Sequence, residues 1–174
     1  MRTEHDENAE GGLKKRYLTF FVKDEQYGIE ISHIKEIIAM MKTTPVPRTP
    51  DFVEGVINLR GSIIPIVDIR SKFEIEKKEH DMNTAIIINE VEGVNIGFVV
   101  DRVEDVITFD DNDLSAPPKF GAHIDTSFIM NIAELESDVI MILDMAKLFA
   151  EDELTQIGYM EEHASQHIAD AQEG

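Results

Sequence analysis

Asp68 and Asp144 each stand where an apolar run ends, SIIPIVD in one place and VIMILD in the other. Two carboxylates in equivalent settings are the minimum for general acid–base chemistry. A hydrolytic or transfer site would also need a nucleophile and an oxyanion donor beside them, and the chain offers no such constellation. The simpler reading is that each aspartate caps the short helical stretch behind it, IRSKF or MAKLF. DDNDLSAPP has the composition of a calcium loop but lacks the glycine and the closing glutamate of an EF-hand. His163 and His167 could share a helix face, yet Ala164 stands where the metalloprotease pattern needs glutamate, so both read as tail surface. His5, His33, His80 and His123 are scattered. There is no cysteine, which excludes disulfides, thiol nucleophiles and thiolate metal sites. No Walker A or GxGxxG pattern is present, and no cofactor or metal is expected.

The elements that position these residues belong to a soluble globular composition: 174 residues, 43% hydrophobic, 29% charged. A net charge of -19 repels phosphate backbones and anionic lipid, so nucleic acid is not expected as a partner. MRTEHDENAEGG has no apolar core of a secretory signal, and no apolar run nears the roughly 20 residues of a membrane helix. A cytoplasmic protein without direct membrane insertion is expected. Residues 1–15 read as a disordered arm, 16–154 as the folded part and 155–174 as an acidic tail, helical or disordered.

LTFFV, YGIEI, SIIPIV, AIIINE, NIGFVV and VIMIL read as short strands separated by turn signals, which predicts a mainly β fold of barrels or a sandwich. A repeat lies beneath them. YGIEISHIKEII matches NIGFVVDRVEDVI at an offset of 69 (Gly28 to Gly97), and FVEGVINLRGSIIPIVDI matches FIMNIAELESDVIMILDM at 76 (Phe52 to Phe128). Two similar small barrels follow, from approximate copies 17–80 and 83–150 whose elements could cross between them, and each too small to be comfortable alone. Ser32 and Asp101 are placed as N-caps of short helical turns, with Glu104 completing a capping box. Pro65 predicts an edge or bulged strand. Gly28 and Gly97 read as a backbone requirement of the scaffold.

The repeat also serves as a control. Every apolar residue of VINLRGSIIPIV has an apolar counterpart, but Arg60 and Gly61 fall on Glu136 and Ser137, Gly55 on Asn131 and Asn58 on Glu134. The fold does not need this set. A surface ion pair of Arg60 with Glu54 or Glu36 would contribute only about 0–1 kcal/mol. An arginine in a loop of one copy is instead an interface candidate.

NLRGSIIPIVDIR, preceded by YGIEISHIKEII and PVPRTPDFVEGVINL, resembles the CheW-type chemotaxis coupling proteins from about Tyr17 to Leu154. The resemblance implies two packed five-stranded SH3-like β-barrels with short helices. It implies a non-enzymatic adaptor, recruited to membrane-associated arrays, that links transmembrane chemoreceptors to the histidine kinase CheA. The family binds the receptor's cytoplasmic hairpin tip between the barrels and the kinase's C-terminal regulatory domain through barrel-to-barrel contacts. Receptor-contact positions fall on Ile34, Glu36, Gly55, Asn58, Arg60 and Gly61; the kinase surface is expected among exposed apolar residues of the second barrel and edge strands. Where family members often carry glycines this chain has MNIAEL. The length leaves no room for the receiver domain of a CheV-type fusion. An adaptor for a kinase of pili or development shares the fold, and an enzyme using groove carboxylates is the remote reading.

Overall fold

A computed structural model describes residues 14–119 and 126–161. These fall into two compact units, one from the chain up to Ser32 with Arg102–Leu148, the other from His33–Asp101 with the chain from Phe149 on. The strands run in the order β1 (Lys14–Val22), β2 (Glu25–Glu30), β3 (Ile34–Ala39), β4 (Val53–Leu59), β5 (Ser62–Asp68), β6 (Ala85–Val91), β7 (Val94–Val100), β8 (Arg102–Asp110), β9 (Leu114–Ser115), β10 (Ile129–Leu135) and β11 (Asp138–Leu143). A four-residue helix, Ile69–Lys72, follows β5, and a 3₁₀ turn, Met145–Leu148, follows β11.

The first unit is a sheet in the order β8-β1-β2-β11-β10-β9; the second is β3-β6-β7-β5-β4. Shifted by the offsets of the repeat, the two orders are the same: β3 corresponds to β8, β6 to β1, β7 to β2, β5 to β11 and β4 to β10. The units are therefore not the two sequence copies. The first copy gives hairpin β1–β2 to one unit and β3–β5 to the other, and the second copy does the reverse. The first sheet has six strands where five were expected, because Leu114–Ser115 pairs with β10; in the second unit the corresponding pairing is the single bridge Thr44–Val56.

The cores match position by position. Ile57, Ile64, Ile66 and Ile86 are buried together in the second unit, and their counterparts Ala133, Ile140, Ile142 and Tyr17 in the first. Gly97 pairs with Ile66 and Gly28 with Ile142, in equivalent parallel registers. A Cβ on Gly97 would lie 2.6 Å from Ile66 Cδ1, and one on Gly28 3.0 Å from Ile142 Cδ1. The shared glycine thus answers to a neighbouring side chain in each core, and neither glycine has a positive φ.

Two expectations are corrected. SHIKEII and DRVEDVI are strands rather than capped helical turns; only Ile31–His33 forms a 3₁₀ turn. Asp101 and Glu104 form no capping box, since Asp101 pairs with Arg70 and Glu104 with Arg102. Branched side chains and a bulge favour the strand: Thr19 Oγ1 donates to the Asp105 carbonyl and accepts from its N–H, closing the ladder where β1 and β8 slip register. Pro65 lies on β5, an interior strand rather than an edge, and the bulge in its ladder is on the partner strand β4, between Val53 and Gly55, next to the Val56–Pro65 pair. It is tolerated because its antiparallel partner Val56 turns its own N–H and C=O to Thr44, and because pairing with β7 begins one residue later, at Ile66.

The helix over 151–161 continues past Leu154, so residues 155–161, which composition assigns to the tail, are docked on the second unit. Ile157 is fully buried. His5, His123, His163 and His167 lie outside the described residues.

Candidate functional site

The six positions singled out in the sequence all fall in the second unit. Leu59 pairs with Ser62, which leaves Arg60 and Gly61 as a two-residue hairpin turn with φ of 51° and 91°. Turns of this kind need a positive φ at their first residue, and Glu136 meets the same need in the first unit with φ 57°. A non-glycine residue in the left-handed region costs about 1–2 kcal/mol, so the turn itself does not select arginine. Asn58 braces the turn, its side-chain oxygen accepting from the Gly61 N–H at 2.9 Å. The Arg60 guanidinium donates to the Glu36 carboxylate on β3. The Arg60 side chain nevertheless remains 68% exposed, and that of Glu36 34%. Glu36 rather than Glu54 is the partner; Glu54 faces His80, with 3.4 Å between Oε1 and Nε2.

Ile34 lies on the same strand as Glu36, half-buried, and Ile37 beyond it is exposed. Ile34, Glu36, Asn58, Arg60 and Gly61 thus offer apolar surface beside a cation held in place by one carboxylate. Gly55 is different. It is buried, with φ 144°, and the place of a Cβ would lie 2.2 Å from the Thr44 carbonyl oxygen. Its glycine is accounted for by the Thr44 peptide of the same chain.

Asp68 caps the helix Ile69–Lys72, its carboxylate accepting from the Arg70 N–H at 3.1 Å and the Ser71 hydroxyl at 3.2 Å. Asp144 accepts from the Ala146 N–H at 3.1 Å. Their own N–H groups donate to Phe52 and Phe128, counterparts in the repeat. The acidic loop is organised in the same way: Asp110 and Asp113 form a capping box around a 3₁₀ turn. Among the described residues no group of three or more His, Asp or Glu is placed to hold a metal ion, and no helix is long and apolar enough to cross a membrane.

Two charged residues near the caps escaped the sequence reading. Arg70 holds Asp101 through two hydrogen bonds of 2.9 and 2.6 Å and also donates to the Glu76 carbonyl. Lys72 lies over the Phe52 ring, 4.3 Å from its centre, and pairs with Glu153 at 2.9 Å. Their counterparts in the repeat are Ala146 and Leu148, so the comparison that isolated Arg60 would have isolated them too. Burial pulls the Glu153 carboxyl upward, but the Ala150 N–H and the Lys72 ammonium outweigh it and hold the group below the ordinary glutamate range.

The CheW-like domain family model matches residues 16–153. The chain is 32% identical over 143 residues to the chemotaxis protein CheW of Klebsiella aerogenes, covering 82% of this chain and 86% of that protein. It is 33% identical over 137 residues to the chemotaxis protein CheW of Thermotoga maritima, covering 77% and 87%. Among solved structures, the scaffolding protein CheW of Thermoanaerobacter tengcongensis superposes with a TM-score of 0.73 at 36% identity, covering 81% of this chain and 96% of that one. Because the match runs through residues of both units and most of the chain, the chain belongs to the CheW family.

Proposed function

We propose that the protein is a non-catalytic scaffold of chemotaxis that couples transmembrane chemoreceptors to the histidine kinase CheA. The observation that carries the site is Arg60: exposed, set on a turn that does not require arginine, and absent from the equivalent turn of the first unit. An arginine held by one carboxylate keeps donors free for the carboxylates and carbonyls of a helical hairpin tip, and Ile34 gives such a helix an apolar contact. Within this reading Ile34, Glu36, Asn58, Arg60 and Gly61 touch the receptor, while Gly55 acts by shaping β4 behind them. The kinase's C-terminal regulatory domain takes another surface of the molecule, and the scaffold reaches the membrane through its receptors. The carboxylates that could suggest an enzyme, Asp68 and Asp144, are engaged as caps.

The test is binding of the full chain to a receptor cytoplasmic fragment and to CheA, measured separately by calorimetry. Arg60→Glu should weaken receptor binding at least about tenfold, a change of 1.4 kcal/mol, and leave the melting temperature and the affinity for CheA in place. Loss of the melting transition, or unchanged receptor binding, would remove Arg60 from the site.

A further inference from the structure

The two units differ in what covers one corner of their sheets. In the second unit the helix over 151–161 lies across the start of β7. Glu161 accepts a hydrogen bond from the Asn95 N–H at 3.2 Å, and an added Cβ on Gly158 would meet Val94 Cγ2 at 3.4 Å. Pro65 suits this arrangement. The β5–β7 ladder begins at Ile66 and Gly97, which leaves the Asn95 N–H to the helix. In the first unit Met141 replaces Pro65, and the β11–β2 ladder reaches down to Ile140 and Gln26, the counterparts of Ile64 and Asn95. Here the backbone is paired and the corner is open.

That open corner is a pocket of about 300 Å³ lined by Phe21, Asp24, Glu25, Gln26, Asp138 and Val139, among others. Val139 is 47% exposed, whereas its counterpart Ile63 is 3% exposed. The lining and the adjoining turn carry four carboxylates, Asp24, Glu25, Glu136 and Asp138. The cations nearby in sequence and register are Lys23 and Arg102, and Arg102 lies over the Phe21 ring at 3.9 Å and pairs with Glu104. Residues 1–13 and 162–174 do not complement this charge: the first has one arginine against four acids, and the second three acids with no lysine or arginine.

We propose that this corner of the first unit docks a helical segment of a partner protein. An apolar side chain of that segment enters against Phe21 and Val139, and flanking Lys or Arg residues face Glu25 and Asp138. The precedent is internal, since the equivalent corner of the second unit is covered by a helix of this chain. The match of apolar centre and basic flanks to an acidic rim sets both specificity and salt dependence.

The probe is a pair of short amphipathic helical peptides with one leucine face, flanked by lysine in one and by glutamate in the other. They are titrated into the isotopically labelled full chain, with amide shifts and affinities read by NMR. The lysine peptide should shift Gln26 and Val139 and bind about tenfold more weakly to the pair Glu25→Lys and Asp138→Lys. It should also weaken with Val139→Asp, which removes the apolar contact while adding negative charge. Glu79→Lys and Glu92→Lys, exposed acids of the second unit, should leave its affinity unchanged. Shifts scattered over the acidic surface, equal loss in both charge-reversed pairs, stronger binding to Val139→Asp, or no binding at all would overturn the proposal.

Discussion

Gly55 and Gly61 lie six residues apart on one hairpin, yet a methyl group should be felt very differently at each. At Gly55 it would enter the Thr44 peptide, 2.2 Å from the carbonyl oxygen, whereas at Gly61 it would meet nothing within 4 Å. Gly55→Ala should therefore lower stability by about 2–3 kcal/mol or more, an overpacking cost added to backbone strain. Gly61→Ala should cost only the strain of its positive φ, about 1–2 kcal/mol. Urea midpoints of the two variants check the order, and a reversed order would mean that the β4 hairpin relaxes around Gly55. The repeat comparison set Gly55 and Arg60 apart for one shared reason, that the second copy lacks both. It could not separate a residue needed by its own loop from one facing outward, because sequence does not show that the Thr44 segment returns to β4.

Tyr27 gives a test at alkaline pH. Burial, with Glu25 adding to it, raises its phenol to about 12 from the ordinary 10.0. The folded state thus keeps its proton where the unfolded state loses it. The stability this contributes is complete below pH 10 and is lost as pH rises from 10 toward 12. Melting temperatures should fall across that window, and fall less steeply in Tyr27→Phe; equal slopes would mean that Tyr27 ionises freely in the fold.

Among the elements, the strands rich in isoleucine and valine were legible because alternation and branching point the same way. The segments Ile34–Ala39 and Arg102–Asp110 were not, since Ser32 and Asp101 imitate helix caps and their strand character is fixed by pairing with β6 and β1. The helix over 151–161 was faint for a related reason: it is held by partners distant in sequence, Lys72 and Asn95. Glu153 links it to Lys72 and to the Ala150 N–H. Since its carboxyl is depressed in the fold, its contribution is complete above the ordinary glutamate value of 4.5 and fades as pH falls through the lower folded value. Glu153→Gln should lower the melting temperature at pH 7, and the gap from the unmodified chain should close below pH 4.5. Amide exchange over 151–161 should accelerate in the same variant.

For the whole molecule, the duplication was plain in the sequence but its three-dimensional closure was not. Equal spacing of like elements suggests that each copy folds on itself, and no local signal reveals that β1–β2 pairs with β8 and β11 while β6–β7 pairs with β3 and β5. The arrangement makes a firm prediction. A chain cut between the copies, at Met82, gives two fragments that each hold an incomplete sheet. Each should lack cooperative melting alone, and an equimolar mixture should regain it, as read by circular dichroism. A fragment that melts cooperatively by itself would show that a copy can close its own barrel.

The same exchange sets an order of events on the ribosome. Strands β3 to β7 form one uninterrupted stretch of chain and can assemble as soon as Val100 has emerged. The hairpin β1–β2 is made first but must wait for β8 and then for β11, at the far end of the molecule, with its edges unpaired in the meantime. Pairings this distant in sequence close slowly and expose strand edges while they do. The earliest made of these strands are thus among the last to become protected, and their vulnerability to aggregation is greatest in the interval between the two.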